Sequence, residues 1–263
     1  MAVSVGIDGC RGGWLAVVLR MEDAGVATSE AAPGDPGPRD GSSADVDLAY
    51  RLEELWQRHR RASMMLVDMP IGLLEAGAAE RVCDRLARRR LGGRGSTVFR
   101  VPVRRAVYAC DYEEACRINR ELTGRRLSRQ VWGIAPKIRE LDELLLSRPR
   151  ARRKIRESHP ELCFAALAQA GAASAVRPVP LAAKRTEEGY RARLELLDAI
   201  FPQTRDVVEA AARGCPADLV GRDDVLDALV LAVAGRLPPT QIPDPAPSDA
   251  RGLPMAMHYP GPA

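Results

Sequence analysis

The stretch AVSVGIDGCRGGWLAVVL, residues 2–19, decides the fold. Residues 2–7 alternate into a short apolar strand that ends at Asp8. Gly9, Gly12 and Gly13 then supply a turn, and Trp14 to Leu19 forms a second strand, so the chain opens on a β-hairpin with a carboxylate at its tip. Downstream, the apolar run Met64-Met65-Leu66-Val67 stops at Asp68-Met69-Pro70. The spacing of Val46, Leu48, Leu52, Leu55 and Trp56 predicts a helix leading into that run from Ala44. A helix between two such strands is the usual crossover between parallel neighbours, which sets Asp8 and Asp68 side by side at the carboxyl ends of a sheet, where α/β proteins bind ligands.

Around this nucleus the pattern is mainly helical. Residues 21–45 are rich in Gly, Pro, Ser and Asp and are expected to hold a weak strand and a mobile loop. Helix-like runs at 77–91, 111–123 and 127–146, the last kinked at Pro136, mark a helical insertion at about 75–150. RRKIRE, 152–157, reads as a further strand ending at Glu157, with Pro160 opening the next helix. Two more helices are expected at 187–200 and 204–213. DDVLDALVLAVAG, 223–235, is the clearest helix of all, acidic at its start and closed by glycine. Met255 to Tyr259 reads as an edge strand. The expected fold class is α/β, one domain over 1–263.

Composition narrows the class. The chain has 263 residues, 46% hydrophobic and 28% charged, enough for a substantial core. No run is long and apolar enough for a membrane span and no leader pattern is recognised, so the expectation is a cytoplasmic protein without a membrane partner. The six cysteines include no C-x-x-C pair, which signals neither a zinc site nor a disulfide framework. Net charge is +4, and the cations are almost all arginine, only Lys137, Lys154 and Lys184 being lysines. Arg81, Arg85, Arg88, Arg89, Arg90, Arg94, Arg100, Arg104 and Arg105 face one acid, Asp84, within 81–105, and 148–156 holds six basic residues and no acid. Guanidinium forks suit phosphate, although a codon-biased genome also yields arginine.

The chemistry-bearing set is Asp8, Asp68 and the pair Asp224 and Asp227. Three residues apart on a helix, the last two share one face, about 5–6 Å from each other. Gathered carboxylates repel and call for a cation, and hard oxygen ligands favour Mg2+ or Mn2+. Two such ions could activate water and hold the leaving oxygen of a phosphodiester. Each aspartate also has a plain explanation: a turn for Asp8 and Asp68, helix capping for Asp224. Asp227, inside the helix beside an apolar run, needs a partner if buried.

The segments GIDGCRGGW (6–14), VDMPIGL (67–73), RVCDRLARRRLG (81–92), LSRQVWGIAPKIRELD (127–142), IRESHPELCF (155–164), KRTEEGYRAR (184–193) and DDVLDALVLAVAG (223–235) resemble the family grouped as domain of unknown function 429. That family is expected to consist of nucleases with a ribonuclease-H-like mixed sheet. The resemblance implies a metal-dependent nuclease in which Asp8, Asp68, Asp224 and Asp227 are catalytic and bind metal. Asp227-Ala228 resembles the terminal-helix Asp-Ala of Holliday-junction resolvases. STVFRVPVRR (96–105) departs from the family pattern at Arg100 and Val101. Glu140, Glu157, His159, Glu161, Lys184 and Arg193 also match. Glu157 is read as a further catalytic group or as the partner of a buried arginine. His159 is read as a general base or as a locally bonded helix-start residue. Lys184, Arg193, His159 and Arg11 are candidates to bind substrate phosphate. Nucleic acid, DNA or RNA, is the expected partner, and the oligomeric state is open, a homodimer included. Two rival readings remain: nucleotide phosphoryl transfer of the actin-like kind, which needs two such cores where one is visible, and a binding or scaffold protein with an idle metal site.

Overall fold

The computed structural model describes residues 2–21, 42–172, 182, 184 and 186–261. Its centre is a mixed five-stranded sheet. β1 (Ala2–Cys10) and β2 (Gly13–Met21) form the opening hairpin, and β3 (Ser42–Ala49) continues it antiparallel to β2. α1 (Leu52–His59) crosses to β4 (Met64–Val67), which pairs parallel with β1. The helical stretch follows: α2 (Val82–Leu91), a 3-10 turn (Gly92–Thr97), α3 (Arg104–Val107), α4 (Tyr112–Thr123), α5 (Arg129–Ser147) and α6 (Pro149–Lys154). It returns to β5 (Ile155–Glu157), parallel to β4, giving the order β3-β2-β1-β4-β5. This α/β arrangement is consistent with the ribonuclease-H-like core expected from the sequence.

α7 (Pro160–Ala172), α8 (Glu187–Ile200), α9 (Thr204–Gly214) and α10 (Arg222–Ala234) complete the helices among the described residues. Every residue of α10 from Val225 to Ala234 is buried, because the helix lies on β1, β2 and β4 and is covered by α7, α8 and α9. A helix in that position cannot be amphipathic, which accounts for its continuous apolar run. The other face of the sheet is covered by α1 and α5, in a second apolar cluster that takes Val5, Ile7, Trp14 and Met65.

Several boundaries differ from the sequence reading. Val46 and Leu48 belong to a strand and face Val17 and Leu15 across the β2–β3 ladder; α1 starts only at Leu52. The expected loop over 22–41 lies outside the described residues. α2 begins at Val82 rather than 77, whereas α5, one helix that contains Pro136, keeps nearly the expected bounds. Half of RRKIRE closes α6, leaving three residues for β5. The tail strand is β7 (Met257–Pro260). It pairs with β6 (Pro239–Ile242) in a separate two-stranded sheet and meets the end of β5 through a bridge between His258 and Ser158 and a contact of His258 Nδ1 with Glu157 O at 3.3 Å. Among the described residues, no helix is long and apolar enough to cross a membrane.

Two glycines fix the geometry of the opening hairpin. Gly13 has φ +125°, and a side chain there would run into Ala49 O and Tyr50. At Gly6 a methyl group would overlap Ala228 O and Ala232 N, so only glycine lets α10 settle onto β1.

Candidate active site

The site follows from the way β1 meets α10. Alternation turns Ser4, Gly6 and Asp8 to one face of the strand. Ser4 Oγ donates to Ala232 O at 2.7 Å, and Gly6 lies under Ala228 and Ala232. Two strand residues advance about 6.6 Å and four helix residues about 6 Å, so one further step along both elements brings Asp8 level with the first turns of α10. Asp8, Asp68, Asp224 and Asp227 accordingly line one pocket of about 320 Å3, together with Gly9, His159 and Lys184.

The charges in this pocket act on one another. Burial, then the carboxylates of Asp68, Asp227 and Asp224, raise the Asp8 pKa well above its ordinary value. Asp68 and Asp224 are also raised, each chiefly by burial. Asp227, 2% exposed, is pushed up to about 6 by burial, against the pull of Lys184. Lys184 Nζ donates to Asp227 Oδ2 at 2.6 Å. Burial works against the lysine's charge, but Asp227, Asp68 and Asp8 outweigh it and hold the ammonium protonated. These four aspartates thus share Lys184, while Arg81 lines the same pocket with Asp84 and Glu157. Asp224 keeps a second job: its Oδ2 accepts from Gly221 N at 2.8 Å, the capping bond its place in the first turn suggested.

The family model described as "Protein of unknown function (DUF429)" matches residues 6–246. The chain belongs to that family. No curated protein and no solved structure matches it, so the chemistry of this DUF429 chain is argued from its residues.

The remaining candidates go to different places. Glu157 ends β5 and lines the same pocket, as do Arg81 and Asp84; it is held by Arg81, whose Nη1 donates to Oε2 at 2.8 Å and Nη2 to Oε1 at 2.7 Å, and Ile71 N donates to Oε2 at 2.7 Å. Arg81 Nη2 also meets Asp84 Oδ1 at 2.5 Å. Burial raises the Glu157 pKa and Arg81 opposes it. Ligand atoms of Cys83, Asp84 and Glu157 lie within 4.8 Å of one another, so this buried acidic cluster has the spacing to hold a metal ion. The Arg81 guanidinium already supplies positive charge there, and an ion would have to displace it. Among the described residues no other three such side chains come that close.

His159 Nδ1 accepts from Glu161 N at 3.2 Å, so in the neutral ring the proton is on Nε2, and the histidine offers the pocket a donor rather than a base. Arg193, expected at substrate, is instead 2% exposed; it bonds Glu161 Oε1 at 2.6 Å and the carbonyls of Ala182 and Gly189. Arg11 is exposed and lies in an adjoining cleft that shares Gly9 and Asp224 with the pocket, its Nη1 3.1 Å from Asp218 O. Glu140 accepts from Trp14 Nε1 at 2.8 Å and Leu52 N at 2.7 Å, tying the hairpin to α1.

The arginine cluster over 81–105 is largely turned to structure in this DUF429 chain. Arg104 bonds Glu75, Asp142 and Asp249. Arg88 and Arg100 pair with Glu80, and Arg94 with Glu161. Sequence alone did not single out Gln130, Phe99 or Ile134 as lining residues; nothing in their types distinguishes them from ordinary core or helix positions.

Proposed function

We propose that this DUF429 chain is a metal-dependent nuclease with a ribonuclease-H-like core that hydrolyses phosphodiester bonds in nucleic acid. The observation that carries the reading is that four aspartates, one inside β1, one following β4 and two on α10, line one pocket with Lys184, at a wider spacing than the cluster of Cys83, Asp84 and Glu157. Burial, and after it repulsion from Asp68, Asp227 and Asp224, raises Asp8, and a divalent cation would offset both by supplying positive charge. The donor set is all oxygen, which fits Mg2+ or Mn2+, and a magnesium ion keeps several waters, so it does not need every carboxylate in contact. Asp8, Asp68, Asp224 and Asp227 would hold the ion, which when bound lowers the pKa of water and offsets charge on the phosphodiester.

The chain's own groups complete the task. Lys184 places an ammonium beside Asp227, where it attracts a phosphate oxygen. His159 Nε2–H offers a hydrogen bond to a substrate oxygen rather than accepting one. Arg11, at the rim of the adjoining cleft, positions a strand without reading its sequence. The chain is read as one cytoplasmic domain whose helices between β4 and β5 form the insertion.

Labelled single-stranded, duplex and branched DNA and RNA, incubated with Mn2+, test this. Asp8→Asn or Asp227→Asn is expected to lower cleavage at least ~100-fold with folding retained. Cleavage that survives both changes removes the carboxylate mechanism. The contact between Lys184 and Asp227 favours one alternative, a binding protein whose pocket is balanced without metal; manganese binding to the wild type excludes it.

A further inference from the structure

A second basic feature lies at the other end of the sheet. The segments that enter β4 and β5, residues 60–61 and 147–154, meet the end of α1 to form an open groove of about 1100 Å3. It is lined by Arg60, Arg61, Arg148, Arg150, Arg153 and Lys154, with Trp56, Gln57, Ser147 and Pro149 between them, and no acid is in the lining.

The cations here are not engaged as those of 81–105 are. Arg148 meets Glu53, outside the groove, at 3.2 Å. Arg60, Arg61, Arg150 and Arg153 are exposed, and their guanidinium groups have no carboxylate partner among the described residues. Lys154 Nζ donates to Arg60 O at 2.9 Å and Ala62 O at 2.7 Å, which pins the two walls together without neutralising either. Like charges are thus held side by side on a fixed frame, an arrangement that self-repulsion disfavours unless an anion is drawn in.

We propose that this groove binds the phosphate backbone of a nucleic-acid strand, as an anchoring site separate from the carboxylate pocket. Its volume exceeds the ~300–1,000 Å3 usual for small-molecule sites, so an extended ligand fits it better than a single metabolite. Trp56, Pro149 and the aliphatic stems of the arginines give the lining apolar surface, while its six cationic heads, with no acid among them, give the groove a single sign of charge. Repeated anionic groups along a flexible strand match a row of guanidinium forks. The position is independent of the chemistry: the groove adjoins the amino ends of β4 and β5, whereas Asp68 follows the carboxyl end of β4, a strand spanning about 13 Å.

Binding is measured on the full chain carrying Asp8→Asn, in EDTA, by anisotropy of a labelled oligonucleotide across a salt series, so that cleavage plays no part. The fourfold variant Arg60→Gln, Arg61→Gln, Arg150→Gln and Arg153→Gln is expected to lose at least ~10-fold in affinity and to flatten the log–log salt slope by about 3, at ~0.7–0.9 per phosphate contact. A control with Arg85→Gln, Arg89→Gln and Arg105→Gln removes exposed charge elsewhere and is expected to keep the slope. Melting curves confirm that both variants fold, and if the fourfold one does not, pairs of these changes carry the same test. An unchanged slope in the groove variant, an equal loss in the control, or displacement of the oligonucleotide by a polyglutamate of matched charge overturns the proposal. Groove binding with no cleavage by the wild-type chain rejects the nuclease reading and leaves this one standing.

Discussion

Lys184 Nζ lies 2.6 Å from Asp227 Oδ2, so the lysine of the pocket is already committed to the most deeply buried of the aspartates Asp8, Asp68, Asp224 and Asp227. An incoming divalent ion competes with that ammonium for the same oxygen. Lys184→Met should therefore raise manganese affinity, by about 10-fold, while lowering the melting temperature of the metal-free protein, since Asp227 is left buried and unpaired. Calorimetric titration reads the first effect and a thermal melt the second. Weaker manganese binding in the variant would mean that Lys184 positions a ligand instead of competing with the ion.

The raised pKa of Asp227 makes stability depend on pH. Its ordinary value is 3.8 and burial lifts it to about 6. Between those values the folded chain holds the proton more tightly than the unfolded chain, so metal-free stability should fall as pH rises from about 4 to about 6, then level off. Added manganese should cancel the fall, because metal binds the deprotonated form. Urea melts of wild type and Asp227→Asn across this range isolate the residue's share. Equal slopes in the two proteins would show that Asp227 titrates normally.

Arg81 is the hub of the buried pairings with Asp84 and Glu157. Arg81→Met removes the cation and leaves two buried carboxylates, at a cost of about 3–5 kcal/mol in denaturant unfolding. Arg81→Lys should recover little, since a single ammonium cannot reproduce the forked bonds to both partners. Full rescue by lysine would assign the arginine a merely electrostatic role.

Gly6→Ala should be more damaging than its size suggests. The added methyl meets backbone atoms of α10, which cannot rotate away, and the expected loss is at least ~3 kcal/mol. Chemical denaturation checks this. A change below about 1 kcal/mol would show that α10 is free to shift on the sheet.

Local pattern carried much of this protein in its sequence. The hairpin, the run ending at Asp68 and the helix at 223–235 were legible because turn glycines and uninterrupted apolar residues leave few options, and those three elements place the aspartates. Val46 and Leu48 were misassigned because their spacing continues into the true helix at Leu52; the strand shows only in its pairing with β2. Glu157 could be seen to end a strand, yet the sequence could not show that Arg81, 76 residues away, would claim it. The same limit applied to the arginines. Which of them is free depends on where Glu80, Glu161 and Asp142 arrive in space, and for that reason two similar basic runs have opposite fates.

The fit of Ser4 and Gly6 against Ala232 and Ala228 has one further consequence. It works as a vernier, in which strand and helix graduations of nearly equal length are locked at two marks and the acids are read off at the next. Inserting one residue between Asp227 and Ala228 would leave the locked marks in place and swing the carboxylate about 100° around the helix axis. Length changes inside α10 are therefore barred as firmly as loss of the aspartates themselves.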